Sequence, residues 1–252
     1  MLGIAGPATA QGITSADIQS GWMGFDGKYV AAFEMHLTPE WKTYWRAPGD
    51  AGIPPEFHFH GSQNVKSVEI IWPRPVPFGS DDLRSVGYLE HMMLPFKITP
   101  LDATAPIKVS LQTTMGVCKD ICIPVELQID KTLDPTQRKP VPKLVAGMLD
   151  VPIDKTQKMT VTCSFGQNAK DWTLETTFSH PSLGDMETLI IESANPDHWI
   201  ALGSSNRDGA TFKARARIKS NTGQAIALAR SDLRFTLIST SQAIEVRGCS
   251  PP

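Results

Sequence analysis

The stretch Met115-Gly-Val-Cys118-Lys-Asp-Ile-Cys122-Ile-Pro124 lies near the middle of the chain, between two runs typical of β-strands, 107–113 and 125–129. In one flat strand the Cα atoms of the two cysteines would be ~13 Å apart, since each residue advances the chain by ~3.3 Å. A disulfide needs a Cα–Cα distance of roughly 4.4–6.8 Å. If the two cysteines bond, the backbone therefore reverses between them, as one helical turn or as a tight hairpin-like loop.

The short spacing also bears on what the cysteines do. A disulfide that closes so small a ring is poorly suited to holding a domain together, because the stabilisation from a cross-link grows with the length of the loop it closes. We therefore interpret Cys118 and Cys122 as a redox-active pair. Lys119 would favour a thiolate at this place and Asp120 would oppose it, and the sequence does not decide between the two charges.

Two alternatives to a redox pair stay open. In the first, Cys118 and Cys122 form an inert disulfide in a purely structural, adhesin-like protein. In the second, they bind zinc or copper, which would need more ligands. His58 and His60 would point two imidazoles to one face of a strand, but nothing in the sequence brings them near the cysteines, and a surface histidine pair is the commoner explanation.

The composition limits the class of protein. A chain of 252 residues is long enough for two domains. Its hydrophobic content of 41% and charged content of 20% are typical of a soluble globular protein. The net charge of -2 gives no reason to expect nucleic acid as a partner, and no run approaches the ~18 apolar residues of a membrane span. No cofactor is expected.

The N-terminus bears on the compartment. Residues 2–11 place the small residues Ala8 and Ala10 at the -3 and -1 positions of a cleavage site, but they lack the basic start and full apolar core of a secretory signal. The segment is either the remnant of a signal peptide or a flexible leader. We favour the remnant, because an exported protein can keep its cysteines oxidised, and we expect a periplasmic protein.

Strand patterns dominate the chain and are separated by turn signals every 8–12 residues, which is typical of β-sandwiches. We therefore predict an all-β protein with two β-sandwich domains, residues 12–132 and 155–252. A Pro-rich linker, residues 133–154, is expected to join them, and its apolar patch 144–149 is expected to form one short helix. The prolines of 73–82 exclude a central strand in that segment.

The second pair of cysteines suggests a structural role. Cys163 lies near the first predicted strand of the second domain and Cys249 just past its last strand. If bonded, they close a loop of about 86 residues, which the chain-entropy model values at ~4–5 kcal/mol. The alternative is two unpaired thiols.

The residues that surround Cys118 and Cys122 resemble a known family. Gly-Val-Cys118-x-x-x-Cys122-Ile-Pro between two strands is similar to the N-terminal periplasmic domain of the thiol:disulfide interchange protein DsbD. The likeness is closer to its relative ScsB, the membrane disulfide reductase of suppressor-of-copper-sensitivity systems. Residues 41–52 (Trp-Lys-Thr-Tyr-Trp-Arg-Ala-Pro-Gly-Asp-Ala-Gly), 71–73 and Gly87-Tyr88 carry it as well, over roughly residues 15–130.

This resemblance implies that the two β-sandwich domains are immunoglobulin-like. It also implies a thiol–disulfide exchange module and a protein-disulfide reductase activity. In such proteins electrons reach the periplasm through a membrane domain and a C-terminal thioredoxin-like domain of the same parent protein. The N-terminal domain then passes them to soluble thioredoxin-fold clients, here of the ScsC or DsbC type. The parent protein is thus expected to be anchored in the inner membrane.

The resemblance also assigns roles to residues. By analogy Cys122 is the attacking thiol and Cys118 the resolving one, although the DsbD type has five residues between its cysteines and this chain has three. A flexible cap loop covers the cysteines in the family, and residues 75–88 occupy the matching region. Phe78 is the candidate lid, with an ordinary packed aromatic as the alternative. Tyr44, Trp45 and Tyr88 are expected to line the site, and for the first two a plain core role is the alternative.

Overall fold

The computed structural model describes residues 12–49, 52–80, 84–167, 172–223 and 226–252. The expected signal remnant, residues 2–11, lies outside them. The chain divides into two compact units, Met1–Arg46 with Ile53–Pro73 and Gly87–Val151, and Ala47–Gly52 with Arg74–Val86 and Pro152–Pro252. The second unit thus includes two segments that were expected in the first domain. Within it, the guanidinium of Arg74 donates to the Thr240 carbonyl and that of Arg84 to the Glu187 carbonyl, each at 3.3 Å.

The described part of the chain is almost entirely β-structure. Its strands are β1 Ile13–Met23, β2 Tyr29–Leu37, β3 Lys42–Gly49, β4 Glu56–His58, β5 Ser67–Ile70, β6 Val76–Phe78, β7 Ser85–Leu89, β8 His91–Thr99, β9 Ile107–Cys118, β10 Cys122–Leu133, β11 Ile153–Asp154, β12 Val161–Gln167, β13 Trp172–Ser179, β14 Thr188–Ser193, β15 His198–Asp208, β16 Thr211–Ser220, β17 Leu233–Ile238 and β18 Ala243–Arg247. The helix α1 spans Pro142–Leu149, and a short 3-10 helix spans Arg230–Asp232. The predicted all-β fold is confirmed.

Two sheets build the sandwich that carries the cysteines. One has the strand order β1-β2-β8-β5 and the other β10-β9-β3-β7-β6, with β4 against β9. Along β9 the apolar side chains of Ile107, Val109 and Leu111 are buried while the residues between them are more exposed, as expected for a strand with one face in the core. Phe33 of β2 meets Phe57 of β4 edge-on at 5.7 Å, which joins the two sheets through aromatic packing.

β9 and β10 form a long hairpin, and its turn is the stretch between the two cysteines. Cys118 is the register partner of Cys122, so the backbone reverses within the three residues 119–121. Of the two backbone reversals that the spacing allowed, the hairpin-like loop is the one observed. β10 is the first strand in its sheet, which places Cys122 on an edge strand and Cys118 on the interior strand next to it.

The expected linker contains α1, as predicted, and this helix packs against the first unit. It begins at a proline, which is favourable in a first turn because the missing N–H would have no helical acceptor. Leu144 is fully buried in a small cluster with Val30 and Ala32 of β2. A side chain at Gly147 would contact Pro95 of β8 at 3.1 Å, so the glycine allows the helix to lie close to the sheet.

The second unit is a sandwich of two four-stranded sheets, β11-β18-β17-β14 and β12-β13-β16-β15. Alternate side chains of both sheets, such as Phe178, Phe212 and Phe235, share one core. A disulfide with a Cα–Cα distance of 5.8 Å joins Cys163 of β12 to Cys249, just after β18. The disulfide therefore links one sheet of this sandwich to the segment that follows β18, a strand of the other sheet.

Among the described residues, no helix has both the length and the apolar character needed to cross a membrane.

Candidate redox site

The two cysteines at the tip of the β9–β10 hairpin are bonded, with a Cα–Cα distance of 4.1 Å. Their exposure differs sharply: Cys118 is 1% exposed, whereas Cys122 is exposed to solvent. The difference follows from position in the sheet, because Cys118 pairs with Lys42 of β3 on one side and with Cys122 on the other. Cys122 is therefore exposed at the edge of the sheet, while Cys118 is buried on the strand next to it.

Tyr44 of β3 places its hydroxyl against both sulfurs, 3.1 Å from Sγ of Cys122 and 3.4 Å from Sγ of Cys118. The sulfurs of a disulfide carry no hydrogen, so the phenol is the donor. Burial raises the pKa of Tyr44 above its ordinary value of 10.0, which keeps the hydroxyl protonated throughout the neutral range. The site thus has a fixed hydrogen-bond donor at the sulfurs.

Two glycines hold Tyr44 in this position. A Cβ on Gly116 would lie 3.1 Å from the Tyr44 ring, so the absence of a side chain lets the ring pack closely against β9. A Cβ on Gly87 would lie 2.0 Å from the Thr43 carbonyl oxygen, so β7 can approach β3 this closely only with glycine there. The buried hydroxyl of Thr43 also donates to the Gly116 carbonyl at 2.9 Å.

The positive charge of Lys119 in the hairpin turn is paired with a carboxylate. The Lys119 ammonium lies 2.6 Å from a carboxylate oxygen of Glu40, and this contact raises the pKa of Lys119 and lowers that of Glu40. The Lys42 ammonium donates to the Lys119 carbonyl at 3.0 Å. Lys119 is therefore not a lone positive charge beside the sulfurs, because Glu40 compensates it. The sequence did not identify Glu40 or Lys42, which lie far away along the chain.

Two apolar side chains are exposed near the elements that build the site, one beside Cys122 and one beside Gly116. Ile121, at the hairpin tip beside Cys122, is 69% exposed. Ile53 is 40% exposed. A Cβ built on Gly116 would lie 3.3 Å from the Cβ of Ile53 and 3.1 Å from the Tyr44 ring, so Ile53 and Tyr44 both adjoin Gly116. Sequence reasoning missed Ile53, and its one signal was an isolated apolar residue in a loop rich in glycine and proline.

The other expected site residues lie in different surroundings. Trp45 is fully buried, and strand alternation points it away from the face that carries Tyr44. The buried hydroxyl of Tyr88 donates to the Pro73 carbonyl at 2.9 Å, and burial raises its pKa well above 10.0. Phe78 ends β6 in a segment of the second unit, so its role as a lid stays a prediction. Residues 81–83 of the expected cap loop lie outside the described residues.

The structure does not bring the histidine pair to the cysteines. The rings of His58 and His60 stack at 5.8 Å, and His58 is the register partner of Gln112 on β9. Cys118 is six positions further along that strand, which corresponds to about 20 Å. These histidines therefore supply no ligands to a metal bound at Cys118 and Cys122.

Comparison with known proteins supports the resemblance inferred from the sequence. Residues 17–134, slightly under half of the chain, match the family described as thiol:disulfide interchange protein DsbD, N-terminal. The structure of the N-terminal periplasmic domain of ScsB from Proteus mirabilis covers 96% of this chain and 100% of its own, with 17% sequence identity and a TM-score of 0.67. At that identity the likeness shows the shared fold, and the predicted resemblance is confirmed.

A marsupial T cell receptor chain also aligns, over 92% of this chain and 100% of its own, but its 10% identity and TM-score of 0.22 carry no argument about the fold. No curated protein sequence matches the chain.

Proposed function

We propose that this protein carries electrons between proteins through Cys118 and Cys122. The match of residues 17–134 to the DsbD N-terminal family supports this proposal. In this proposal a thioredoxin-like domain, linked to a membrane reductase, reduces the pair. The pair then reduces a disulfide in a soluble thioredoxin-fold client, which makes the protein a protein-disulfide reductase module. We place it in the periplasm, where a disulfide such as Cys163–Cys249 persists.

The single observation that carries the proposal is the difference in exposure between two bonded cysteines. Exchange requires one thiolate that a partner can reach and a second thiol close enough to release the partner. Cys122 on the edge strand meets the first requirement and the buried Cys118 meets the second. The exposed side chain of Ile121 adds an apolar contact next to the reactive sulfur.

The chemical steps follow from this arrangement. In the reduced protein the Cys122 thiolate attacks one sulfur of the client disulfide, forms a mixed disulfide and expels the other client sulfur as a thiolate. The Cys118 thiolate then attacks Sγ of Cys122, restores the Cys118–Cys122 bond and releases the client as a dithiol. Two electrons pass to the client in each cycle, and the upstream donor then supplies two further electrons that reduce the Cys118–Cys122 disulfide again. The Tyr44 hydroxyl donates a hydrogen bond to whichever sulfur carries negative charge.

Single substitutions of the two cysteines test the proposal. With Cys118→Ala, a thioredoxin-fold client should accumulate as a mixed disulfide, because no resolving thiol remains. With Cys122→Ala, neither the mixed disulfide nor electron transfer should be detectable. Non-reducing electrophoresis and mass spectrometry of periplasmic extract would identify the trapped species. Electron transfer at the wild-type rate by both variants would disprove the proposal.

The same assay separates this function from metal binding by the cysteines. A redox pair should transfer electrons equally well with and without a strong chelator. A rate that falls on chelation and recovers on addition of zinc or copper would instead favour metal ligation by Cys118 and Cys122.

A further inference from the structure

A second cluster of reactive side chains lies on the other sheet of the first unit, away from the hairpin. It consists of Glu34 and His36 of β2 and His91, the first residue of β8. His36 and His91 are direct register partners on adjacent antiparallel strands. Glu34 is two residues before His36, so strand alternation places it on the same face.

The donor atoms of these three side chains are close together. Nε2 of His91 lies 3.2 Å and Nε2 of His36 lies 3.7 Å from the same oxygen, Oε1 of Glu34. The three candidate donor atoms all lie within 4.8 Å of one another. Two ligands of a tetrahedral zinc ion, each about 2.0–2.1 Å from the metal, are about 3.3 Å apart. The distances from Oε1 of Glu34 to the two imidazole nitrogens are therefore close to the ligand–ligand distance that one shared ion would impose.

The other oxygen of Glu34 is already held. The Lys143 ammonium of α1 lies 2.9 Å from Oε2 of Glu34 and 3.2 Å from Oε1 of Gln19. Lys143 thereby turns Oε1 toward the two imidazoles, as groups behind the ligands do in many metal sites.

We propose that Glu34, His36 and His91 bind one divalent transition-metal ion of the zinc class, with at least one coordination position left open to solvent. Two neutral imidazoles and a carboxylate are a ligand set that such ions take, and three protein ligands leave room for a water molecule. Both histidines are exposed on the sheet surface, so an ion can enter without rearrangement of the fold.

The site is independent of the redox proposal. The cysteines lie at the tip of the β9–β10 hairpin in the opposite sheet, and neither belongs to the cluster. Binding should therefore be the same whether the Cys118–Cys122 disulfide is intact or both cysteines are replaced by alanine. Failure of the metal site would leave the exchange function untouched, and failure of exchange would leave the metal site untouched.

Zinc binding to the full, oxidised chain tests the proposal. We expect one Zn²⁺ per chain in competition with a chromophoric chelator, and at least a tenfold loss of affinity in His36→Ala and in His91→Ala. The matched control is the double variant His58→Ala, His60→Ala, which removes a stacked histidine pair that also has a neighbouring glutamate and should bind as the wild type does. Circular dichroism should show the same fold for all four proteins.

X-ray absorption of the zinc-loaded protein gives a second, direct measurement. Only nitrogen and oxygen ligands at about 2.0–2.2 Å are expected. The proposal would be overturned if the wild type did not bind one Zn²⁺ per chain, or if His36→Ala and His91→Ala bound zinc as tightly as the wild type. An equal loss of affinity in the control variant, or sulfur ligands at about 2.3 Å, would also overturn it.

Discussion

The hydroxyl of Tyr44 lies 3.1 Å from Sγ of Cys122, although the two residues are 78 positions apart in the chain. This contact joins the interior strand β3 to the edge strand β10 across β9, which lies between them in the sheet. It places a hydrogen-bond donor at the sulfur of the more exposed cysteine. We therefore expect the reactivity of the pair to depend on a residue outside the cysteine motif.

Tyr44→Phe tests this contact. Hydrogen bonds to a charged group contribute about 1.5–3 kcal/mol, so loss of the hydroxyl should disfavour the Cys122 thiolate and slow its alkylation by iodoacetamide about tenfold or more at neutral pH. The rate is measured on the reduced protein. Tyr88→Phe is the control, because its hydroxyl donates to the Pro73 carbonyl instead, and it should leave the alkylation rate unchanged. Equal rates in wild type and Tyr44→Phe would show that the contact has no chemical effect.

Gly116→Ala and Gly87→Ala should differ in cost. The new Cβ at Gly116 would lie 3.1 Å from the Tyr44 ring, which can shift by a few tenths of an ångström, so we expect a loss of about 1 kcal/mol in unfolding free energy. The new Cβ at Gly87 would lie 2.0 Å from a backbone oxygen of β3, and a loss above about 3 kcal/mol should follow. Urea unfolding measures both, and the reverse ranking would contradict the strand spacing.

The two disulfides should contribute unequally to stability. The Cys163–Cys249 bond spans 86 positions and the Cys118–Cys122 bond spans 4. The chain-entropy model then gives about 4–5 kcal/mol for the first and about 2 kcal/mol for the second. The double alanine variant of each pair, compared by chemical denaturation with the wild type, measures the difference. Similar losses in the two variants would argue against a division into one structural and one reactive disulfide.

Asp197 should make stability depend on pH. Its carboxylate accepts hydrogen bonds from the Ser220 hydroxyl at 2.6 Å and from the Thr222 backbone N–H at 2.8 Å, and these lower its pKa below the ordinary 3.8. A lowered pKa in the folded state means that the stabilisation is present above pH 3.8 and is lost as the pH falls through the folded value. Asp197→Asn should therefore melt at a lower temperature than wild type at pH 7.

The difference in melting temperature between wild type and Asp197→Asn should shrink steadily as the pH falls below 3.8, because protonated aspartate resembles asparagine. Thermal melts of both proteins between pH 7 and pH 2.5 measure this. A difference that stays constant over that range would show that the hydrogen bonds do not depend on the charge.

Local patterns in the sequence were sufficient for the class of fold. The all-β fold could be predicted because its signals are local. They are the alternation along β9, the turn signals at short intervals, and the prolines in the segment that contains the short edge strand β6. The helix near 144–149 could be predicted from a local apolar patch in the same way. The five-residue span from Cys118 to Cys122 likewise restricted the backbone to a reversal, because the covalent geometry of a disulfide allows nothing longer.

The site itself could not be predicted in the same way. The Lys119–Glu40 pair joins residues 79 positions apart, so the sequence around the cysteines could not show that a carboxylate compensates the charge of Lys119. Trp45 adjoins Tyr44 in sequence, yet alternation sends one ring into the core and the other to the sulfurs. His36 and His91 are adjacent only because β2 pairs with β8 in one register.

The sequence by itself determined that the strands form and that the chain reverses between the cysteines, because these properties depend on side chains and bonds a few residues apart. The tertiary structure alone decided which sulfur is exposed, which phenol contacts it and which charges are compensated. Those properties depend on the pairing register and order of strands that are distant in sequence, and a shift of one residue would turn every side chain of a strand to the opposite face.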